Sequence, residues 1–455
     1  MVNGFEFSKI KTKQLPQSWQ EEGALEDLEK FLQDNWQQRS IFYTDGQVTS
    51  NQQFIDFDKK NGIKLQNYIG TIIFKGEQLN IFPKVFKEDE DDFDTDSLEL
   101  DDLIGNLVYW LSYCDKLNFP FVSMKNELSD TENLLELFIT IYVHYVKNAI
   151  DKQRFFRYEE VVESGSYVKG KLDTYDYVTK KWPNGRLNEI QYSYSSFIFD
   201  NQLNQIIKAT CIFLFNLTKQ GGSKEIIKNI LMKLGDVTTK NCLPHECDNV
   251  HLSMLNSNYR IILSMSKMFL LNKLNSNSMG NSDTFCFLFP AEVLFEGFIG
   301  GFMKSVFKDK ARVRTQTSDQ YLAELVVDGE VVGNAFQLKE DILVETDDSV
   351  IVLDTKYKEI DSFSKVKENK KLKVSDSDMK QMAIYATKRG AKKLYLIYPL
   401  HQSDDPETME IRFDIYMDEN KKKIPLEIIK VPFAYRESEE ETKVMLKGIL
   451  AKTLQ

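Results

Sequence analysis

Histidine and cysteine are scarce in this chain. Its 455 residues include only four His and five Cys. An odd number of cysteines in so long a chain argues against a disulfide scaffold, and four histidines leave little room for a His-based catalytic triad. Cys242, His245 and Cys247 lie close together, but they are one ligand short of a structural zinc site. We interpret this cluster as an ordinary loop.

The signatures of several protein classes are also missing. The sequence has no Gly-x-x-x-x-Gly-Lys-Ser/Thr, so we expect that the chain itself hydrolyses no nucleotide. It has no Gly-x-Ser-x-Gly and no His-Glu-x-x-His. Its most apolar helical run, 134–146, is too short to span a bilayer and contains Glu136 and His144. No secretory signal is visible at the N-terminus, so we expect a cytoplasmic protein with no membrane partner.

The charge of the chain is unevenly distributed. A net charge of −11 argues mildly against a sequence-independent DNA binder, which is usually basic. Between 291 and 400, however, 18 Lys and Arg balance 18 Asp and Glu, so the whole acidic surplus lies elsewhere. The acidic run 87–102 carries a large share of that surplus. We interpret this run as a solvated loop; the alternative is a contact with a basic partner surface.

The length allows two or three domains, and the sequence patterns predict three, which span 1–120, 121–283 and 284–455. The first part is rich in β-branched and aromatic residues, with a hairpin predicted over 68–86 that turns near Gly76. The second is mainly helical, with apolar periodicity over 134–150 and 200–217. A stretch rich in Asn, Ser and Gly, 275–283, is interpreted as the linker to the third part.

The third part has a clear order of predicted elements. A helix is followed by two strands, a Lys-rich stretch, a second helix that ends at Gly390, and a buried-type strand that stops at Pro399. The predicted ranges are 289–306, 341–345, 350–357, 365–373, 378–389 and 393–398.

The second of these strands ends in residues that suit metal-dependent phosphodiester cleavage. Asp354 and Lys356 follow the aliphatic run 350–353, and residues i and i+2 of a strand point to the same face. Asp341 opens the neighbouring strand, so strand pairing can bring it beside Asp354. Carboxylates suit Mg²⁺, which prefers oxygen ligands, and a lysine can orient water and stabilise developing charge. Glu296, on the preceding helix, is a candidate third carboxylate.

Each of these assignments has an alternative. Asp354 and Lys356 can be read as a polar strand end with a surface ion pair, although no other acid-x-Lys triplet in the chain follows a four-residue aliphatic strand. Gln381 and Tyr385 are spaced i, i+4 and share a helix face. They either contact the phosphate or the attacking water, or they belong to a packing face.

Basic residues near these positions either form a rim that contacts phosphates or, in the stretch 365–373, a solvated Lys-rich loop. They are Lys304, Lys308, Lys310, Arg312, Arg314, Lys365, Lys367, Lys370, Lys371 and Lys373.

The order of these residues resembles the PD-(D/E)XK nuclease superfamily and, more closely, McrC, the nuclease subunit of McrBC-type (LlaJI-like) restriction systems. The match in the third part consists of Leu294-Phe295-Glu296, Asp341, Asp354-Thr355-Lys356-Tyr357-Lys358 and Gln381-Met382-Ala383-Ile384-Tyr385. Further pieces in family order lie at 70–84, 168–173 and 200–204. Glu340 stands where the superfamily name expects proline.

The resemblance implies a multidomain fold of class α/β plus α+β. Its parts are a β-rich N-terminal domain, a helical middle domain and a C-terminal PD-(D/E)XK domain with a central mixed β-sheet flanked by helices. It also implies that Asp341 and Asp354 hold Mg²⁺, that Lys356 assists the attacking water, and that Glu296 and Gln381 support the site. The candidate metal ligands are Asp341, Asp354 and Glu296; the candidate catalytic residues are these three with Lys356, Gln381 and Tyr385.

The resemblance further implies a subunit that cuts double-stranded DNA only within a complex. Its partner would be an AAA+ GTPase of the McrB kind, a hexameric ring that the subunit stimulates. One alternative is a PD-(D/E)XK nuclease of another phage-defence system, acting with a different ATPase or alone. Another is a non-cleaving adaptor that activates an AAA+ motor, against which the presence of Asp341, Asp354 and Lys356 argues.

Overall fold

The computed structural model describes residues 2–35, 54–58, 61–86, 100–114, 134–167, 169–253, 256, 258–278, 284–346, 349–358, 360, 370–400, 411–417, 423–435 and 438–454. The chain divides into two compact units. One is formed by Met1–Leu134 together with Asn281–Gln455, and the other by Leu135–Gly280. The structure therefore groups the first and third parts of the sequence, which were predicted as separate domains, into one unit.

In chain order, the strands are β1 (Val2–Phe5), β2 (Lys9–Lys11), β3 (Ile55–Asp58), β4 (Gly62–Leu65), β5 (Tyr68–Phe74), β6 (Glu77–Phe82), β7 (Arg157–Gly165), β8 (Lys171–Leu172), β9 (Ile190–Ile198), β10 (Phe285–Pro290), β11 (Arg312–Val327), β12 (Glu330–Glu345), β13 (Val350–Thr355), β14 (Lys393–Leu400), β15 (Ile411–Tyr416) and β16 (Lys423–Pro432). The helices are α1 (Ala24–Asn35), α2 (Leu100–Tyr113), α3 (Leu134–Lys152), α4 (Gln202–Leu217), α5 (Gly221–Lys233), α6 (Asn258–Ser278), α7 (Ala291–Phe307), α8 (Asp376–Arg389) and α9 (Glu439–Ala451).

The first unit contains a sheet that, within the described residues, has four strands in the order β1-β6-β5-β10. β5 and β6 form an antiparallel hairpin that turns at Lys75 and Gly76, whose φ angles are 52° and 77°, as a tight hairpin turn requires. The predicted hairpin is confirmed. The helix predicted to begin at residue 289 begins at Ala291 instead, because Phe285–Pro290 pairs with β5 as the buried strand β10.

The second large sheet of this unit carries the residues of interest. Over the described ranges it has six strands in the order β11-β12-β13-β14-β16-β15. β13, β14 and β16 run parallel, while β11, β12 and β15 pair antiparallel with their neighbours, so the sheet is mixed. α8 connects β13 to β14, since parallel strands need a crossover. Buried Met382 and Tyr385 pack α8 against the sheet with Leu343, Val352 and Leu394.

Two strands of this sheet are longer than the sequence patterns predict. β12 begins at Glu330 and pairs with β11 along most of its length, whereas only 342–345 pair with β13. The outer part of this hairpin is mostly exposed, so no buried face imposes a period of two on its sequence. β14 continues through Pro399 because β13 has already ended opposite Ile397, and the missing proline N–H therefore breaks no bond on that side.

α2 and α7 pack closely beside the second sheet. A Cβ on Gly297 of α7 would lie 2.2 Å from the Sγ atom of Cys114, which follows α2. Trp110 of α2 stacks on Phe433 with ring centroids 4.2 Å apart and an interplanar angle of 10°. Its indole N–H donates to the Phe433 carbonyl oxygen. These contacts fix the chain just after β16.

The second unit consists of α3, α4, α5 and α6 with a small sheet in the order β7-β9-β8. The helices predicted over 134–150 and 200–217 are confirmed. Asn201 caps α4 by accepting a hydrogen bond from the Asn204 N–H, and the Asn204 side chain donates to the Phe155 carbonyl at 2.9 Å. The sheet was not predicted, because most of its side chains are exposed or half-buried. No helix in the described residues is long and apolar enough to cross a membrane.

Some predicted segments lie wholly or partly outside the described residues. They are most of the acidic run 87–102, the end of the linker 275–283, and most of the Lys-rich stretch 365–373.

Gly70 supports a test of the β5–β10 pairing. Its φ is +140°, and a Cβ there would lie 2.1 Å from the Phe287 carbonyl oxygen. We expect Gly70→Ala to lower the free energy of unfolding by roughly 3 kcal/mol or more, because the backbones must separate. Gly76→Ala is the matched control: its φ is +77° but no atom lies within 4 Å, so the loss should be about 1–2 kcal/mol. Equal losses in urea denaturation would contradict the close approach.

Candidate active site

The end of β13 brings together acidic residues from two strands. Leu353 of β13 pairs with Ile342 of β12, so Asp341 and Asp354 are the next residues along the two paired strands. The Oδ2 atom of Asp341 accepts two hydrogen bonds from Thr355, one from the main-chain N–H and one from the hydroxyl, each at 2.8 Å. One oxygen of Asp341 is therefore fixed by the neighbouring strand.

Asp354 is the buried acid of the site, with 1% of its surface exposed. Its Oδ2 lies 2.6 Å from Lys356 Nζ, whereas its Oδ1 has no hydrogen-bond partner among the described residues. Burial and the neighbouring Asp341 carboxylate raise the pKa of Asp354 to about 7, although Lys356 acts in the opposite direction. A buried carboxylate with an unpartnered oxygen is unfavourable unless a positive charge compensates it.

Lys356 is held by three oxygen atoms. Its Nζ lies 2.6 Å from Asp354 Oδ2, 3.2 Å from Gln381 Oε1 and 3.6 Å from Asp378 Oδ1. Burial opposes its positive charge, but the carboxylates of Asp354, Asp341 and Asp378 outweigh burial and raise the pKa of Lys356. The neighbouring carboxylates thus favour the protonated, hydrogen-bond-donating form of Lys356.

A relay of hydrogen bonds fixes the orientation of the Gln381 amide. The Tyr385 hydroxyl donates to the Lys339 carbonyl oxygen at 2.6 Å, and a carbonyl can only accept. The hydroxyl therefore accepts from Gln381 Nε2, at 2.7 Å. This leaves the Gln381 oxygen directed at Lys356. Gln381 and Tyr385, which are spaced i, i+4, thus link Lys356 to β12 through hydrogen bonds. Their shared helix face does more than pack α8.

Asp378 is a member of the site that the sequence patterns did not single out. It lies in the first turn of α8, where Ser375 caps the helix, and it pairs with Lys356 at 3.6 Å and with Lys358 at 3.3 Å. Burial opposes its ionisation, but the Ser375 hydroxyl and both lysines keep the pKa of Asp378 below its ordinary value. The Ser-x-x-Asp pattern at the start of α8 was the one available signal, and it indicates capping rather than a site.

The residue before Asp341 connects β12 to α8 by hydrogen bonds. Glu340 is fully buried and accepts two hydrogen bonds from Arg389 at the end of α8, at 2.9 and 2.8 Å. This pair of charge-assisted hydrogen bonds holds β12 to α8 next to Asp341.

Glu296 and the arginines of the predicted rim are placed differently. Glu296 lies half-buried on α7, next to buried Phe295. Among the described residues, no group of three or more Asp, Glu, His or Cys side chains has the spacing of a metal site, so Glu296 as a third ligand stays a prediction. Arg314 pairs with Glu345 at 2.9 Å and with Asp319 at 3.3 Å, so its charge is compensated within the chain.

The donor atoms at the end of β13 fit a hard divalent cation. Asp341 and Asp354 supply carboxylate oxygens only, which is the ligand type that Mg²⁺ prefers, and Mg²⁺ usually keeps several waters around one or two carboxylates. The unpartnered Oδ1 of buried Asp354 is the atom that most needs such a partner. Asp341 and Asp354 are therefore the residues that could hold Mg²⁺.

The buried charge of Asp354 predicts a stability effect. At pH 8 without divalent cations, Asp354→Asn should raise the free energy of unfolding by roughly 1–3 kcal/mol, because it removes an unfavourable buried charge. Asp378→Asn should change stability in the opposite direction, since the pKa of Asp378 is lowered and the folded state favours its charged form. Urea denaturation in EDTA measures both. If Asp354→Asn is less stable than the wild type, groups of the protein itself stabilise the charged Asp354 carboxylate without a metal ion.

Comparisons with known proteins place the chain in a family. The family model described as McrBC 5-methylcytosine restriction system component matches residues 63–399. Comparison with curated proteins gives no match.

Solved structures from Thermococcus gammatolerans are similar to the chain. One is a refined half-complex from a tetradecameric assembly of McrB AAA+ hexamers with bound McrC, with a TM-score of 0.59 and 18% identity over 98% of this chain and 99% of that chain. A cryo-EM structure of the McrBC complex has a TM-score of 0.48 and 20% identity over 69% of this chain and 89% of that chain. The first likeness shows a shared fold. Because the family model covers more than half of the sequence, the chain belongs to the family of McrBC 5-methylcytosine restriction system components, as the resemblance of its motifs indicated.

Proposed function

We propose that this chain is the Mg²⁺-dependent DNA endonuclease subunit of a GTP-dependent McrBC-like restriction complex, with a PD-(D/E)XK site at the end of β13. The observation that carries the proposal is the buried Asp354, which has one unpartnered oxygen, the Asp341 carboxylate beside it, and the Lys356 ammonium at its other oxygen. A surface ion pair, the alternative for Asp354 and Lys356, would leave both groups in water.

The proposed roles follow from the contacts of each residue. Bound at Asp341 and Asp354, Mg²⁺ would neutralise charge on the scissile phosphate and promote ionisation of water. Lys356, as a protonated donor, is placed to hold an attacking water or a phosphate oxygen. Asp378 and Gln381 hold the ammonium in place, and Tyr385 fixes the Gln381 amide. Glu296 is proposed as a supporting residue.

We extend the proposal to the partners. In the T. gammatolerans half-complex, McrC is bound to McrB AAA+ hexamers, and we propose a corresponding AAA+ GTPase ring for this chain. Its sequence has no nucleotide-binding motif of its own, so GTP hydrolysis would fall to that partner, which this chain would stimulate. The substrate is double-stranded DNA, and the proposed location is the cytoplasm.

DNA cleavage by the reconstituted complex tests the proposal. We expect cleavage that requires the chain, its AAA+ partner, GTP and Mg²⁺, and a loss of at least about a hundredfold in Asp354→Asn, because the metal loses a charged ligand. Complex assembly and GTPase activity should persist in that variant. Asp414→Asn is the control, since Asp414 lies on β15 and pairs with Arg412; it should cleave like the wild type.

The other outcomes separate the alternatives. Cleavage by the chain alone would favour a nuclease of another defence system. A wild-type chain that stimulates the GTPase but never cuts DNA would support the adaptor.

Asp378 should affect the rate of cleavage through Lys356. Asp378→Asn removes a charge 3.6 Å from the ammonium, and we expect a loss of about tenfold in kcat, corresponding to one charge-assisted contact. Asp376→Asn is the matched control. Asp376 lies in the same first turn of α8 but pairs with exposed Lys371, so this variant removes a charge from the helix start without removing a contact of Lys356. Equal rates for the two variants would remove Asp378 from the site.

A further inference from the structure

The segment after the candidate site is attached to the N-terminal sheet at one buried carboxylate. Glu6, which directly follows β1, is 3% exposed. Its Oε1 accepts a short hydrogen bond from the Tyr357 hydroxyl and a second, at 2.9 Å, from the Lys84 main-chain N–H. Its other oxygen has no partner among the described residues. Residues separated by 351 positions therefore meet at a single oxygen.

Glu6 is held rigidly by the first sheet. Its main-chain N–H donates to the Phe82 carbonyl at 2.9 Å, which continues the β1–β6 pairing by one residue. The chain then turns at Phe7, whose φ is +63°, and the Ser8 hydroxyl donates to the Phe5 carbonyl at 2.6 Å. A non-glycine residue with this φ is strained. Hydrogen bonds thus hold the turn after Glu6 in place, although the backbone at Phe7 is strained.

Tyr357 is half-buried and packs beside two aromatic rings. Its ring centroid lies 5.7 Å from that of Phe295 and 5.9 Å from that of Phe433. The Lys84 ammonium lies 5.0 Å from the same ring, within reach of a cation–π contact. These contacts restrict the ring while its hydroxyl donates to Glu6.

Tyr357 directly follows Lys356, the proposed catalytic cation. On the strand side, the Lys356 main-chain N–H donates to the Ile397 carbonyl of β14 at 2.8 Å. In the C-terminal direction, the next residue is Tyr357, whose side chain is held by its hydrogen bond to Glu6. Two anchors, one in β14 and one in the N-terminal sheet, thus bracket the residue whose ammonium faces Asp354.

We propose that Glu6 is a positioning residue for DNA cleavage: by accepting the Tyr357 hydroxyl it fixes the chain after β13, and with it the place of the Lys356 ammonium. This inference rests on the proposed function. Burial raises the pKa of Glu6 to about 7 against the opposing effect of its two donors, so a carboxylate at this position is not the choice that stability alone would favour. The N-terminal sheet is thereby part of the site's support.

Hydrogen–deuterium exchange of the purified full chain tests the anchor without relying on activity. We expect Tyr357→Phe, which keeps the ring and deletes only the hydroxyl, to raise amide exchange in peptides covering 354–358 by about tenfold, the value of one buried hydrogen bond. Glu6→Ala should do the same. Glu6→Gln retains an acceptor oxygen and should restore exchange to near the wild-type rate.

A matched control is available in the second unit. Glu163 also accepts from tyrosine hydroxyls, those of Tyr192 and Tyr194, at 3.3 and 3.2 Å. Glu163→Ala removes the same kind of bond and should leave exchange in 354–358 unchanged. If Glu6→Ala disturbs exchange throughout the chain, Tyr357→Phe decides the question alone. Unchanged exchange over 354–358 in Tyr357→Phe would overturn the inference.

Cleavage assays in the complex then distinguish positioning from a general structural role. Tyr357→Phe should lower kcat by about tenfold with the KM for DNA unchanged, since the lost hydrogen bond fixes the residue next to Lys356 and has no proposed contact with DNA. A changed KM with unchanged kcat would contradict the inference. If the wild type fails to cleave, the proposed nuclease function fails, and the exchange result still decides whether Glu6 fixes this segment.

Discussion

A buried carboxylate and the half-buried lysine ammonium that it contacts, at the end of β13, set the requirements for much of the first unit. Opposite charges removed from water are stable only when their remaining hydrogen-bonding positions are filled. α8 meets much of that need from one face, because Asp378 and Gln381 both reach Lys356. The helix is itself held at its far end by Arg389, which pairs with Glu340 on β12. Asp354 Oδ1, which has no hydrogen-bond partner among the described residues, is the atom that a bound cation could contact.

The parts of the site that could be predicted are those encoded locally. Asp354 and Lys356 follow an aliphatic run, and Gln381 and Tyr385 share a helix face. Period and spacing left an alternative for each pair, and the resemblance of the motifs to a known family favoured their place in the site. Asp378 belongs to one of several acid-x-Lys triplets, and only the fold brings its side chain to Lys356. The end of β10, at 289 and 290, was assigned to the following helix, because an apolar run shows its partner strand only in three dimensions.

The contacts that unite the ends of the chain could not be read from the sequence at all. Glu6 and Tyr357 lie 351 positions apart, and neither belongs to a recognisable spacing. Phe433 is similar: Trp110 stacks on it and Tyr357 lies beside it, so it joins α2 to the end of β13. A single sequence carries no pairing information at such distances. Local patterns therefore predicted elements, whereas the grouping of the first and last parts into one unit emerged only from the structure.

The pairing of β10 with β5 also constrains the order in which the molecule can form. β5 leaves the ribosome early, but β10 follows it only after the whole of Leu135–Gly280 has been synthesised. During that interval one edge of a strongly apolar hairpin has no partner, and open strand edges promote association with other chains. Leu135–Gly280, whose helices are built from local contacts, can complete its folding within the same interval. Nascent chains should therefore depend most on chaperone protection between the emergence of β5 and that of β10.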